Sequence, residues 1–163
     1  MTALESTRSG SPPKPSAFVV DASVAIKLFL EEAYSDRAQA LFERLTGRPR
    51  VVLCAPDLLF AECANILWKC VHRLRLDAEE ANQHAGALAA LEVRSWSTRD
   101  LATSALALAL EFEISAYDAC YVALAKSLNC PLVTADERLV RKVSAGQVEV
   151  LWLGDVTVSP RSR

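Results

Sequence analysis

Ala17-Phe18-Val19-Val20-Asp21-Ala22-Ser23 is the stretch that decides the fold. Four apolar residues without polar alternation read as a short strand buried on both faces. Such strands belong to parallel sheets covered by helices. The signature returns at Val51–Ala55 and Leu132–Thr134, and Val93–Trp96 and Val148–Leu151, each interrupted by polar residues, read as two further short strands. Helical patterns fill the intervals. Ser23 is placed to cap a helix through about Leu30, and Tyr34 to about Leu45 reads as a second, stopped by Gly47 and Pro49. Pro56 and Asp57 open a long helix to about Arg73, and Asp77 starts another to about Leu91. Thr98 is expected to cap a helix through about Phe112, Ser115 one to about Leu128, and a short helix ends near Val143. Strands alternating with helices predict an α/β domain whose parallel sheet is sandwiched between helices.

The chain has 163 residues, 52% hydrophobic and 23% charged, enough for one domain with a real core. That domain is expected over residues 17–154. Residues 1–16 carry Ser, Pro, Gly and scattered basic residues without an apolar secretory core, and read as a disordered tail. Residues 155–163 read as a second loose tail. No internal repeat is visible, and no apolar run approaches a membrane span. A net charge of −2 and a pI of about 5.7 give no global basic field for nucleic acid. The five cysteines, at 54, 63, 70, 120 and 130, are odd in number and form no C-x-x-C. They read as reduced core thiols, which favours a cytoplasmic home.

Four carboxylates stand where charge is out of place. Asp21 ends the first strand and Asp136 follows Leu132–Thr134. Glu62 and Asp118 lie in the early turns of apolar helices. In open parallel sheets, ligands bind beyond the carboxyl ends of the strands; Asp21 and Asp136 fall at that edge, and Glu62 and Asp118, in first turns of helices, can face it. Each has a bland alternative. Asp21, Asp118 and Asp136 suit helix caps, and Ser115 to Asp118 has capping-box spacing. Glu62 shares a stripe with Asn65, Lys69 and Leu58 on a helix otherwise apolar nearly all round, expected to be buried. A Glu62–Lys69 pair is its structural alternative. Four acids gathered without a cation repel one another. Magnesium or manganese, which take oxygen ligands, would resolve the repulsion. Ser23 and Thr134 supply hydroxyls beside Asp21 and Asp136, placed to orient carboxylates or waters.

On these residues the chain resembles the PIN-domain nucleases, most closely the toxins of VapBC-type toxin–antitoxin pairs. Val19-Val20-Asp21-Ala22-Ser23 is similar to the family's opening strand and D-x-S. Glu62-Cys63-Ala64-Asn65 is similar to its E-x-x-N helix. Tyr117-Asp118-Ala119-Cys120-Tyr121 resembles its Y-D-A-x-Y block, and Thr134-Ala135-Asp136-Glu137-Arg138-Leu139 its T-A-D-x-x-L block. The resemblance implies a three-layer α/β/α fold with about 4–5 parallel strands. It implies magnesium- or manganese-dependent cleavage of RNA phosphodiesters by Asp21, Glu62, Asp118 and Asp136, with Ser23, Asn65 and Thr134 as polar supports. A small antitoxin partner and a homodimer are implied as well. Lys27, Lys69, Arg73, Arg138 and Arg141 are candidate contacts to the RNA backbone. His72 and His84 read as surface residues, which disfavours metal-free histidine chemistry. Two alternatives stay open. One is a non-catalytic binding module whose acids only cap helices. The other is a metal-assisted phosphatase, although Ser23 stands where such enzymes often place a second acid.

Overall fold

The computed structural model describes residues 16–44, 51–143, 146 and 148–156. Most of both expected tails lies outside these residues, as do Leu45, Gly47 and Pro49. Strands β1 (Ser16–Val20), β2 (Val51–Pro56), β3 (Val93–Trp96), β4 (Leu132–Thr134) and β5 (Val150–Trp152) form one sheet in the order β3-β2-β1-β4-β5. Every pairing is parallel, with Val19 beside Cys54 on one side and Leu132 on the other. The last strand begins at Val150 and not at Val148, whose buried side chain had mimicked a strand position.

Among the described residues, seven helices connect the strands: α1 (Ala22–Ala25), α2 (Ser35–Glu43), α3 (Leu58–Leu74), α4 (Ala78–Ala89), α5 (Thr98–Phe112), α6 (Ala116–Leu128) and α7 (Glu137–Val143). The chain moves outward from β1 to β3, then returns past β1 to β4 and β5. Right-handed crossovers therefore put α1 to α4 on one face of the sheet and α5 to α7 on the other. The packing agrees: α3 lies against α1 and α4, and α5 against α6. This is the three-layer α/β/α sandwich. Among the described residues, no helix is long and apolar enough to cross a membrane.

Three local expectations are corrected. The helix expected from Ser23 to Leu30 is the single turn α1 followed by a 3-10 turn, Ile26–Leu28. Its N-cap is Asp21, whose carboxylate accepts from the Val24 N–H at 3.1 Å. Thr98 does not cap its own helix. Its hydroxyl accepts from the Leu58 N–H of α3, while the Asp57 carboxylate accepts from the Thr98 N–H and hydroxyl of α5. The two helix starts thus cap one another, satisfying orphan N–H groups on both. Finally, α3 is not buried all round. It buries the stripe Leu59, Cys63, Leu67 and Cys70, while Trp68 is 54% exposed and Ala61 and Ala64 face solvent. Alanines add little apolar area to bury, and Trp68 stacks on His72 one turn on, with ring centroids 4.4 Å apart.

Candidate active site

The strand order reverses between β1 and β4, so their carboxyl ends part and leave a crevice there. Asp21 follows β1 and Asp136 follows β4, one on each side. From the helical layers, α3 brings Glu62 and α6 brings Asp118. All four acids line one cleft of about 250 Å³, together with Ser23, Asn65, Lys69 and Tyr121. The stripe of Glu62, Asn65 and Lys69 therefore faces the cleft as its spacing predicted. Thr134 is fully buried behind the cleft wall. Neither histidine lines it.

Hydrogen bonds set each carboxylate. Ser23 Oγ donates to Asp21 Oδ1 at 2.6 Å and accepts from the Ala135 N–H at 2.9 Å. One serine thereby ties the turn after β1 to the turn after β4. Thr134 Oγ1 accepts from the Asp136 N–H at 3.0 Å. Asp118 accepts from Ser115 Oγ at 2.7 Å, and Ser115 accepts from the Asp118 N–H at 3.0 Å, so Ser115 caps the helix as expected, but Asp118 returns to its hydroxyl and not to its backbone N–H, and the full capping box is not formed. Asp136 Oδ1 accepts from the Arg138 and Leu139 N–H groups. Tyr121 donates to Glu62 Oε2 at 2.5 Å. The Glu62–Lys69 ion pair is not formed among the described residues.

Asp21 and Asp136 are therefore helix caps and cleft residues at once, while Asp118 is held by the cap residue Ser115. These bonds orient each acid and leave Oδ1 of Asp118 and Oδ2 of Asp136 without a hydrogen bond among the described residues. The electrostatics mark the cleft as a place short of positive charge. Burial pushes the Asp21 carboxyl up to about 6, against the lowering pull of Ser23, Thr134 and the Val24 N–H, and the charge of Asp118 adds to the rise. Glu62 is also held above the ordinary carboxylate range, by burial first, with Tyr121 opposing and Asp118 reinforcing. Cys63, beneath the site, is pushed up to about 12 by burial and by the charges of Glu62 and Asp21, so it is an inert thiol.

The donor set fits a hard divalent cation: carboxylate oxygens, hydroxyls and an amide, with no thiolate or imidazole in the cleft. Among the described residues, no three His, Cys, Asp or Glu side chains converge tightly enough to hold an ion between them alone. Magnesium does not need such a cage, because it keeps several waters and binds through one or two carboxylates. The remaining acids would then act through water.

The candidate cations fall into separate groups. Lys69 lines the cleft itself. Arg138 and Lys142 line an adjoining hollow of about 230 Å³ that shares Asp118 and Asp136. Lys27, a candidate contact to the RNA backbone, is instead buried, and its ammonium pairs with Glu32 at 2.8 Å. Lys142 is not singled out by the sequence, and Tyr121 enters there only as part of the Y-D-A-x-Y block, without a role. A tyrosine inside the otherwise apolar run Ala119–Ala125 was the available signal, since a buried phenol must find a partner.

Comparison with known proteins agrees with this architecture. Residues 18–144 match the PIN domain. Ribonuclease VapC3 of Pyrobaculum aerophilum is 37% identical over 131 residues, covering 78% of this chain and 95% of the relative. The crystal structure of Mycobacterium tuberculosis VapC20, a Sarcin-Ricin loop cleaving toxin, superposes with a TM-score of 0.60 at 22% identity, covering 82% of this chain and 98% of that one. A toxin-antitoxin complex from Klebsiella pneumoniae gives a TM-score of 0.57 at 16% identity, covering 82% and 94%. At those identities the two structures establish the fold alone. The length and identity of the other two matches establish the family: this chain belongs to the PIN-domain family.

Proposed function

We propose that this chain is a magnesium- or manganese-dependent endoribonuclease, the toxin of a toxin–antitoxin pair held in check by a small antitoxin. The observation that carries the reading is the convergence of Asp21, Glu62, Asp118 and Asp136 on one cleft where the strand order reverses. The similarity to a VapC ribonuclease over most of both chains supports it.

A divalent cation, when bound, lowers the pKa of water and neutralises charge at a phosphate. The protein's own residues prepare that chemistry. Asp21, Glu62, Asp118 and Asp136 supply the negative charge that draws the cation in. Ser23 and Thr134 keep the two strand-end acids oriented, and Asn65 offers a neutral polar contact at the rim. The acids alone would repel RNA, so Lys69 in the cleft and Arg138 and Lys142 beside it are the residues suited to neighbouring phosphates. Leu106 and Leu110, one turn apart on α5, are 58% and 74% exposed, which supports a partner-covered face and a homodimer. Five free cysteines suit a cytoplasmic setting.

A second reading has its own observation: two of the four acids, Asp21 and Asp136, do cap helices, and Asp118 is bonded to the cap residue Ser115. On that view the domain only binds. RNA cleavage in EDTA, before and after manganese is restored, separates the two. The nuclease reading requires no cleavage in EDTA and recovery with manganese or magnesium. Cleavage undiminished in EDTA, or none under any condition, refutes it.

A further inference from the structure

Among the described residues, Tyr121 is the largest fully buried side chain, 1% exposed. Its ring belongs to the core, but its hydroxyl reaches the acid cleft and donates to Glu62 Oε2 at 2.5 Å. The bond joins α6 to α3, from opposite helical layers, across 59 residues of sequence. A glutamate side chain is long and flexible, and Glu62 sits on a part of α3 where Ala61, Ala64 and Asn65 are exposed. Glu62 itself is half-buried, so its rotamer rests on the hydrogen bond as well as on packing. The Tyr121 hydroxyl is the one hydrogen-bond partner of Glu62 among the described residues, and it engages Oε2 while Oε1 carries none.

The nature of the donor matters as much as its position. Lys69 lines the same cleft and would neutralise Glu62 by pairing with it, in competition with a cation. A phenol holds the carboxylate without neutralising it. We propose that Tyr121 is a positioning residue, holding Glu62 so that its free oxygen and its full charge are available to a divalent cation in the cleft. The proposal rests on reading the cleft as a metal site. Partners that orient metal-binding groups in this way typically govern affinity by about 10- to 100-fold.

The test is manganese binding followed by water-proton relaxation, which needs no turnover. It uses the full chain, Tyr121→Phe, Glu62→Gln, the Tyr121→Phe/Glu62→Gln double variant and Val122→Ala. Phe preserves the core-filling ring. Val122 is a fully buried neighbour on α6, so its truncation lowers stability without touching Glu62. The half-saturating manganese concentration should rise about 10-fold in Tyr121→Phe. It should rise no further when that change is added to Glu62→Gln, because the tyrosine acts through the glutamate. Val122→Ala should melt earlier yet bind manganese like the parent. Parent-like binding by Tyr121→Phe overturns the proposal while leaving the metal site standing, as does an undiminished effect in the Glu62→Gln background. If Val122→Ala weakens binding as much as Tyr121→Phe, the tyrosine is only structural and the proposal falls. A parent that binds no manganese overturns the reading of the cleft, and the proposal with it.

Discussion

Replacing Asp21 by Asn should make the metal-free protein more stable at neutral pH while removing its ability to cleave RNA. Asp21 is 6% exposed, and burial holds its carboxyl at about 6 in place of 3.8. A folded-state pKa above the unfolded one means that the folded protein favours the protonated acid. Stability is therefore greatest below the unfolded value and falls as pH rises through the folded one. At about 1.4 kcal/mol for each tenfold change in proton affinity, ionised Asp21 costs the folded state about 3 kcal/mol at pH 8. About half of that loss falls between pH 5 and pH 8. Asn keeps a carbonyl oxygen for the bonds now made by Ser23 and the Val24 N–H, and Asn caps a helix about as well as Asp. The variant should therefore shed the charge penalty without losing the cap. Urea melts in EDTA at pH 5 and pH 8 give the comparison. The advantage of Asp21→Asn over the parent should grow by about 1.5 kcal/mol from the lower pH to the higher. Parallel pH profiles, or a variant less stable than the parent at pH 8, would refute the claim that Asp21 is a charge held at a cost for function.

Asp118→Asn should likewise abolish cleavage with metal-free stability equal or higher, whereas a purely capping Asp118 would cost up to about 1 kcal/mol on replacement and leave activity intact; thermal melts beside a cleavage assay tell these apart. Magnesium should raise the melting temperature of the parent, by less in either variant, because a ligand specific to the native state stabilises it. Calcium, with its looser coordination, should not replace magnesium or manganese in turnover. Thr98→Ala should destabilise the fold by about 1 kcal/mol in urea melts by leaving the Leu58 N–H uncapped, with cleavage per folded molecule unchanged. Asp57 is held below the ordinary carboxylate range chiefly by the Thr98 hydroxyl, then by the Thr98 N–H. Its stabilising effect is present above that range and fades as pH falls, so the deficit of Thr98→Ala should narrow in acid.

What the sequence disclosed followed from periodicity and from misplaced charge. Unalternating runs such as Phe18-Val19-Val20 require cover on both faces, which dictates the parallel sheet and its helical layers. Asp21 and Asp136 stand directly after such runs, so the sheet edge that gathers them was predictable. Side-chain partnerships between distant elements were not. The mutual capping of Asp57 and Thr98 spans 41 residues, and the Tyr121–Glu62 bond spans 59. No local pattern encodes which of several available donors will meet a given acid. Ser23 illustrates the ambiguity. It is a good N-cap type one residue from the true helix start, but Asp21 takes the cap and Ser23 serves it instead. The all-round burial expected of α3 failed because composition does not say which apolar residues lack a covering neighbour, as Trp68 does.

The central claim is that the four acids form one centre for a divalent cation, and manganese can be seen there directly. Crystals grown with manganese and measured at its absorption edge should show anomalous density in the cleft, against Asp21 and at least one of Glu62, Asp118 and Asp136. A cleft free of anomalous density at saturating manganese, or a peak confined to other acids of the surface, would contradict it.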